Sequence, residues 1–440
     1  MEKLAILGGE RALKNVPEAE LFKWPIIGEE DEQAALEVIR GNKYSQVDIT
    51  EQFEEEFAQW IGTKHAVAYC NGTASLAAAM FAVGLGQGDE VICPTKTYWA
   101  SIAQSVALGA TPVFCNVDKH LSIDPDDIER CISPRTKAIM VVHYCAYPAD
   151  MDRIMAIAKK HNLYVIEDVS HAQGGLYKGK RLGTFGDIAA MSLMSTKSFS
   201  AGELGIVVTN NRKLYERSLA YGHYDRNNEK YIIESEDLKP YFHLPLGACK
   251  GRANQLCVAL ARVQLKYYDE RCAEVRKALN YFCDLIEDLP GVTPIRVDES
   301  TGSNMAGCYQ VQALYNPDEL HGLSITRICA ALRAEGVTKC WEGANYALHT
   351  HPYFKTYDLF KEGKPTRLAH NDRDILAEDD KCKPSENIYS FTLPKFNAFH
   401  KEWIEKYAAA VRKVFLNHEQ LLEEDDSKKQ GGRWYGTEGV

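Results

Sequence analysis

The chain has 440 residues, of which 45% are hydrophobic and 25% are charged, and its formal net charge is −10. This composition is typical of a globular protein with two domains or one large α/β unit. The negative charge argues against nucleic acid or an anionic membrane as the main partner, because both would be repelled. No run approaches the roughly 20 apolar residues of a membrane span, and the charged N-terminal stretch does not predict a secretory signal.

After an extended arm over residues 1–28, the first part of the chain alternates between strand and helix patterns. Segment 29–40 has acids in its first turn and apolar residues at helical spacing, so it predicts a helix. Further strands are predicted at 65–69, 90–93, 111–115 and 138–143, and helices at 73–85, 98–108, 125–131 and 151–161. This alternation predicts a mostly parallel sheet with helices on both faces.

A central stretch places an acid and a lysine at strand ends. An apolar run at 163–166 stops at Glu167 and Asp168, and a second run at 188–193 leads into Lys197, with a third at 205–209. Ligands of open α/β sheets collect outside the carboxyl ends of the strands. An Asp and a Lys delivered there are the two protein groups that pyridoxal phosphate requires: Lys binds the cofactor covalently, and Asp keeps the pyridine nitrogen protonated.

The remaining third predicts a smaller α+β domain. Helices are expected at 254–268, 272–289, 325–335 and 402–422, with a strand at 311–314. We therefore divide the chain into a large domain over 29–270 and a small domain over 271–422. The polar, Gly-rich tail over 423–440 is expected to be disordered.

The central stretch resembles one family over a long, ordered motif. An acid pair is followed by His171, then Y-x-G-x-x-x-G-x-x-G-D over 177–187, Ser192, Lys197 and G-E-L-G over 202–205. This resembles the DegT/DnrJ/EryC1/StrS sugar aminotransferases. The resemblance implies the fold-type-I architecture of pyridoxal phosphate enzymes, with a seven-stranded type of sheet. It makes Lys197 and Asp168 the catalytic pair and places His171 near the ring oxygen.

Two further stretches match the cofactor contacts of that family. The sequence Asn71 to Ala74 joins a strand to a helix start, where free N–H groups and the helix dipole suit a phosphate. Without the family pattern, this stretch predicts a simple N-cap by Asn71 or Thr73. The family pattern N-G-T-A implies instead that Gly72, Thr73 and Ala74 bind the phosphate, with Ser192 as a lesser candidate. Tyr98 is expected to stack on the pyridine ring, with Trp99 as the alternative.

The chain departs from the family pattern at two positions. Lys250 stands where the family has an Asn that reaches the phosphate of the neighbouring subunit, and Leu204 replaces a glycine. Lys250 could bind that phosphate as a point charge or hold an anionic substrate instead.

The sequence makes less specific predictions for several histidines and for the cysteines. His143, at a strand end, is either a substrate contact or a core histidine. His349 and His351 lie in a loop that resembles the scyllo-inosose aminotransferase branch; their spacing suits a metal, but without a third ligand we expect substrate contact or a plain loop, and no metal site. The thirteen scattered cysteines predict reduced thiols in a cytoplasmic enzyme.

These features together predict a homodimeric, pyridoxal phosphate-dependent aminotransferase. Its amino donor would be glutamate or glutamine, and its acceptor a keto-sugar or keto-cyclitol. A sugar dehydratase of the same fold is the first alternative, although that branch replaces the lysine by His. The second is a non-catalytic binding or regulatory protein, for which Lys250 and Leu204 leave room. A nucleotide-binding protein of another class is disfavoured, because neither G-x-G-x-x-G nor a P-loop is present.

Overall fold

The computed structural model describes residues 2–343 and 345–425, so most of the predicted tail, residues 426–440, lies outside the described residues. Within this part of the chain the strands are β1 His65–Tyr69, β2 Glu90–Pro94, β3 Thr111–Cys115, β4 Thr136–Val142, β5 Tyr164–Asp168, β6 Leu176–Tyr177, β7 Lys180–Arg181, β8 Ile188–Ser192, β9 Gly205–Thr209, β10 Val292–Pro294, β11 Val311–Tyr315 and β12 Tyr389–Leu393.

The α-helices of the same residues are α1 Glu18–Phe22, α2 Glu29–Arg40, α3 Asp48–Ile61, α4 Gly72–Ala82, α5 Ala103–Ala107, α6 Pro125–Cys131, α7 Met151–His161, α8 Arg212–Gly222, α9 Gln255–Asp284, α10 Ile325–Glu335, α11 Pro352–Lys355, α12 Ile375–Asp379, α13 Lys383–Glu386 and α14 Lys401–Leu416. None of the helices within 2–343 and 345–425 combines the length and the apolar character needed to cross a bilayer.

A seven-stranded sheet forms the centre of the fold, in the order β1-β9-β8-β5-β4-β2-β3. Only β9 runs antiparallel to its neighbours, and the other pairings are parallel. Every residue of β2, β3 and β9 is buried, because helices cover both faces of the sheet. Helices α4 and α8 pack on one face, and α6 and α7 pack on the other. The predicted mostly parallel sheet between helices is confirmed.

Helix α9 corrects one prediction. Two helices were expected at 254–268 and 272–289, but the structure has one continuous helix of 30 residues. The intervening Asp269, Glu270 and Arg271 are compatible with a helix, and Asp269 binds Arg181 at the surface. Helix α9 packs on α2 and α3 near its start and also on α14. The proposed domain boundary at residue 270 therefore lies inside a helix that serves both parts of the chain.

Two other predicted helices are shorter than expected. The helix over 98–108 is a 3₁₀ turn, Trp99–Ser101, followed by α5, because Ile102 has φ −141° and leaves the helical region. The last helix ends at Leu416, and a 3₁₀ turn over His418–Glu424 follows it. The arm is also less extended than predicted, because it contains a 3₁₀ turn and α1.

A small antiparallel sheet, β10-β11-β12, lies in the C-terminal part with α10 and α14 packed nearby. Between α10 and β12 the chain runs back along the large sheet, and we name residues 345–388 the edge segment. Its Arg367 carbonyl accepts a hydrogen bond from Thr111 Oγ1 at 2.8 Å, and Asn371 Nδ2 donates to Glu90 Oε1 at 2.8 Å. The edge segment thus covers the β2-β3 side of the sheet.

Candidate active site

A cavity of about 240 Å³ opens at the carboxyl ends of the parallel strands. Its wall contains the last residues of β4, β5 and β8, residues from the segments that follow β1 and β2, and residues from the C-terminal part of the chain. The predicted site residues in its wall are Gly72, Thr73, Tyr98, Asp168, His171, Ser192 and Lys197. Ala74 and Lys250 are not in that wall. Predicted site residues from Gly72 to Lys197, 125 positions apart in sequence, therefore meet in one space.

Asp168 is held rigidly at the end of β5. Its side chain is 4% exposed. Ser101 Oγ donates to Oδ2 at 2.7 Å, and the Ser170 N–H donates to Oδ1 at 3.0 Å. The break in the predicted helix at 98–108 has a cause here, since the 3₁₀ turn ends at the serine that contacts Asp168. Two donors from different loops fix the carboxylate at the cavity wall.

Lys197 is 9% exposed and faces the same cavity. Burial lowers the pKa of its ammonium to about 8, although Asp168 acts in the opposite direction. Its Nζ lies 4.1 Å from the centre of the Tyr309 ring. The loop itself is anchored by Trp24, whose Nε1 donates to the carbonyls of Lys197 and Ser198 at 3.0 Å. A lysine with this lowered pKa is partly neutral, hence nucleophilic, near physiological pH.

His171 packs between two tyrosine rings. The ring centres lie 5.1 Å from Tyr144 and 4.5 Å from Tyr309. Burial, followed by the charge of Lys197, holds its pKa well below the ordinary range, so the imidazole is neutral. Nδ1 accepts a long hydrogen bond of 3.4 Å from the Cys145 N–H, which assigns the proton to Nε2.

The start of α4 meets the end of β8 at close range. Asn71 caps the helix by accepting from the Ala74 N–H at 2.9 Å, so the N-cap reading of this stretch is correct. The N–H groups of Gly72 and Thr73 precede that bond in the first turn, where no intrahelical acceptor exists. A Cβ on Gly72 would lie 2.4 Å from Ser192 Cβ, so only glycine permits the approach. The helix N-terminus is thereby presented to the cavity.

Hydrogen bonds from the edge segment hold the turn that carries Tyr98. Leu348 N–H donates to the Thr95 carbonyl at 2.6 Å, and His349 Nδ1 pairs with Thr95 Oγ1 at 2.7 Å. Asn345 Nδ2 donates to the Thr97 carbonyl at 3.1 Å. Tyr98 lines the cavity, whereas the alternative, Trp99, is 42% exposed and lines a neighbouring cavity.

A family model described as the DegT/DnrJ/EryC1/StrS aminotransferase family matches residues 25–373. The chain belongs to this family. It is 30% identical over 344 residues to the spore coat polysaccharide biosynthesis protein SpsC of Bacillus subtilis, covering 78% of this chain and 87% of that protein. It is also 30% identical over 344 residues to a putative L-glutamine:3-amino-2,3-dideoxy-scyllo-inosose aminotransferase of Micromonospora echinospora, covering 76% and 78%.

The fold agrees with the family. The structure of an aminotransferase from Psychrobacter cryohalolentis superposes with a TM-score of 0.76 at 30% identity, covering 90% of this chain and 99% of that chain. The predicted fold-type-I architecture is confirmed, and this DegT/DnrJ/EryC1/StrS protein is a pyridoxal phosphate-dependent aminotransferase. Its cavity fits that cofactor, because a nucleophilic lysine, a fixed carboxylate and a helix N-terminus face one space.

Other residues singled out from the sequence lie outside the cavity wall. Lys250 is exposed, with Nζ 5.5 Å from the Tyr224 ring centre. His143 is a core histidine that donates from Nε2 to Glu167 at 3.0 Å. His349 binds Glu386 through Nε2, also at 3.0 Å. His351 lines the neighbouring cavity. Neither edge-segment histidine belongs to the possible metal-ligand group found among the described residues, Cys115, Asp127 and Cys131.

Sequence reasoning missed several residues of the wall. Ser101 follows the aromatic pair Tyr98 and Trp99, and its position three residues after Tyr98 is the one local signal for its role. Tyr144, Tyr309 and Asn345 also line the cavity. No local pattern marks these three, because they come from loops whose position depends on the packing of distant segments.

Proposed function

We propose that this aminotransferase moves an amino group from glutamate or glutamine to a keto-sugar or keto-cyclitol, with Lys197, Asp168 and His171 at its centre. The observation that carries the proposal is the meeting of Lys197 and Asp168 in one cavity beside the N-terminus of α4. When bound, pyridoxal phosphate supplies the electron sink that stabilises negative charge at the donor's α-carbon.

Asp168 serves the pyridine nitrogen. The hydrogen bonds from Ser101 and Ser170 prevent the carboxylate from rotating, so its charge stays directed at one point of the cavity. This fixed carboxylate would keep a proton on the ring nitrogen of the cofactor, because such a charge pair is strongest in a buried site of low dielectric constant. Tyr98 would provide an aromatic face for the ring, and His171 contributes a neutral imidazole to the same cavity wall.

Lys197 has two tasks. Its Nζ would hold the cofactor covalently, and the same atom would move a proton to and from the donor's α-carbon. A pKa of about 8 suits both tasks, since the neutral amine is a nucleophile and a base while its conjugate acid still forms near neutrality. The Trp24 hydrogen bonds keep the lysine loop in place throughout.

The phosphate is assigned to the first turn of α4. The N–H groups of Gly72 and Thr73, together with the positive end of the helix dipole, would hold the phosphate, and Ser192 lies beside Gly72. Ala74 donates its N–H to Asn71, so in this proposal it contributes position rather than a direct bond. Lys250 is exposed on the protomer, and we assign it to the phosphate or substrate of the second subunit in a homodimer.

The substrate assignment rests on two relatives whose names concern a polysaccharide and an aminated inosose. The cavity wall also carries hydroxyl and amide groups, such as Thr97, Gln310 and Asn345, that suit a polyhydroxylated acceptor. We place the enzyme in the cytoplasm, because all thirteen cysteines are free thiols.

The test follows the cofactor and the amino group separately. Protein loaded with pyridoxal phosphate is reduced with borohydride, and peptide masses identify the modified lysine; we expect Lys197. Lys96 is the matched control, since burial lowers the pKa of its ammonium to about 8 as well but its Nζ binds the Ile388 carbonyl. The Lys197→Ala variant should lose the modification and the visible absorbance band, whereas Lys96→Met should keep both.

Addition of L-glutamate or L-glutamine should then remove the visible band and release one 2-oxo acid per site. Keto-sugars and keto-cyclitols are supplied next, and the aminated product is identified by mass. A protein that binds the cofactor at Lys197 but exchanges no amino group would contradict the proposed transamination and favour a binding role. Loss of a hydroxyl from the sugar without amination would indicate the dehydratase reaction instead.

A further inference from the structure

A second cavity of about 430 Å³ adjoins the catalytic one. Tyr98 and Asn345 belong to the walls of both, so the two spaces are neighbours across these side chains. Asn345 is fixed there by its bond to the Thr97 carbonyl at 3.1 Å and by its own N–H, which donates to Tyr144 Oη at 3.4 Å. Because these side chains belong to both walls, the second cavity is the space next to the one that holds the lysine.

Five of the ten described residues that line the second cavity carry flat rings. Trp99 and Tyr98 have ring centres 5.0 Å apart, and Tyr353 and Phe354 form a perpendicular pair, also 5.0 Å apart. Trp99 is 42% exposed although it is a large aromatic residue. Aromatic faces of this kind pack well against another ring, including the C–H face of a carbohydrate. Gln104 and Asn345 add amide groups that can bond to hydroxyls.

The residues that line the second cavity restrict the charge of the ligand that it can bind. Among the described residues that line it, none is Lys, Arg, Asp or Glu. Burial lowers the pKa of His351, so this histidine is neutral near pH 7. A phosphate or diphosphate placed here would lose water without gaining a cation, which is unfavourable. The wall instead suits an uncharged ring with apolar faces and hydroxyl edges.

We infer that the second cavity binds an uncharged carbohydrate or cyclitol ring that is joined to the ring bearing the reacting ketone. The acceptor is then a two-ring molecule, with its ketone at Lys197 and its second ring on Trp99 and Tyr353. This inference rests on the proposed function for the identity of the reacting ring, but the binding of the second ring is a separate property of the cavity.

The experiment measures equilibrium binding to the cofactor-loaded enzyme by calorimetry. Three probes are compared: a keto derivative of a neutral disaccharide, the keto derivative of the corresponding monosaccharide, and a nucleoside-diphosphate keto-sugar. We expect the disaccharide to bind about tenfold more tightly than the monosaccharide, which corresponds to one ring stacked on aromatic side chains. Trp99→Ala and Tyr353→Ala should each remove most of that preference.

Tyr164→Ala is the control, because Tyr164 is also an exposed aromatic residue but stands at the start of β5, away from the carboxyl ends. It should leave all three affinities unchanged. Failure of the disaccharide to bind, or equal binding of both sugars, overturns the inference. Tighter binding of the nucleotide-sugar that depends on Trp99 also overturns it, since the occupant is then a nucleobase.

The outcomes separate this inference from the proposed function. If the enzyme transfers the amino group of glutamate but Trp99→Ala does not change the preference for the disaccharide, the proposed function stands and the second-ring site is refuted. Conversely, Trp99-dependent binding of the disaccharide by an enzyme that exchanges no amino group keeps the site and removes the proposed reaction.

Discussion

Replacement of Glu167 by glutamine tests how much this buried carboxylate stabilises the region that carries the catalytic Asp168. The Glu167 side chain is completely buried. Its Oε1 accepts from the N–H groups of Phe185 at 2.8 Å and Gly186 at 2.6 Å. Its Oε2 accepts from the Gly183 N–H at 2.8 Å and from His143 Nε2 at 3.0 Å. One carboxylate therefore ties β5 to the loop before β8.

The tautomer of His143 determines how many of these hydrogen bonds a glutamine at position 167 can keep. Nδ1 accepts from the Ala149 N–H at 3.2 Å, so Nε2 carries a proton that points at Glu167. In Glu167→Gln the amide oxygen can replace only one carboxylate oxygen, and the NH₂ group then faces two donors. Two hydrogen bonds to a charged acceptor are lost, each worth about 1.5–3 kcal/mol, so we expect a destabilisation of about 3–6 kcal/mol.

The same carboxylate predicts a pH dependence. Burial raises the pKa of Glu167, but the hydrogen bonds from His143 and the backbone N–H groups outweigh it and leave the pKa below its ordinary 4.5. A lowered folded-state pKa stabilises the fold above the unfolded value, and that contribution is lost as pH falls through 4.5 toward the folded pKa. The glutamine variant has no such titration, so its loss of stability over this range should be smaller.

The assay is urea unfolding at equal cofactor loading, followed by intrinsic fluorescence at neutral pH and again at pH values on both sides of 4.5. Glu129→Gln is the matched control, because Glu129 is half-exposed and forms a surface ion pair with Lys160. It should leave the unfolding midpoint unchanged. A Glu167→Gln midpoint equal to that of the wild type would refute the reasoning.

Three further changes test the site. Ser101→Ala removes one donor to Asp168, so pyridoxal phosphate should bind about tenfold more weakly in an equilibrium titration; unchanged affinity contradicts a positioning role. Gly72→Ala forces a Cβ to within 2.4 Å of Ser192 Cβ, and should weaken inorganic phosphate and cofactor binding by more than tenfold (about 1.4 kcal/mol) while the far-UV spectrum is retained. In the apoprotein, acetylation of Lys197, followed by peptide mass, should rise with pH with a midpoint near 8; a midpoint near 10 shows that burial does not depress the pKa.

Local sequence determined much of the large domain. Runs such as 111–115 and 205–209 are short and apolar on both faces, which predicts buried strands between two helical layers, and the structure places β3 and β9 at those residues. Asp168 and Lys197 follow such runs, and the carboxyl ends of parallel strands meet at one edge of a sheet. Their presence in one cavity was therefore predictable from spacing, and the family resemblance identified the chemistry.

Tertiary structure decided what depends on contacts between distant segments. The continuity of α9 through 269–271 depends on packing along its length, because those residues permit a helix or its end. The helix predicted at 98–108 is interrupted where Ser101 binds Asp168, a contact that outweighs local helical propensity. Asn345 and Tyr309 enter the site from beyond residue 300, since the edge segment and the small sheet fold back on the large one. Periodicity reports which face of an element is buried, but not which distant loop will cover it.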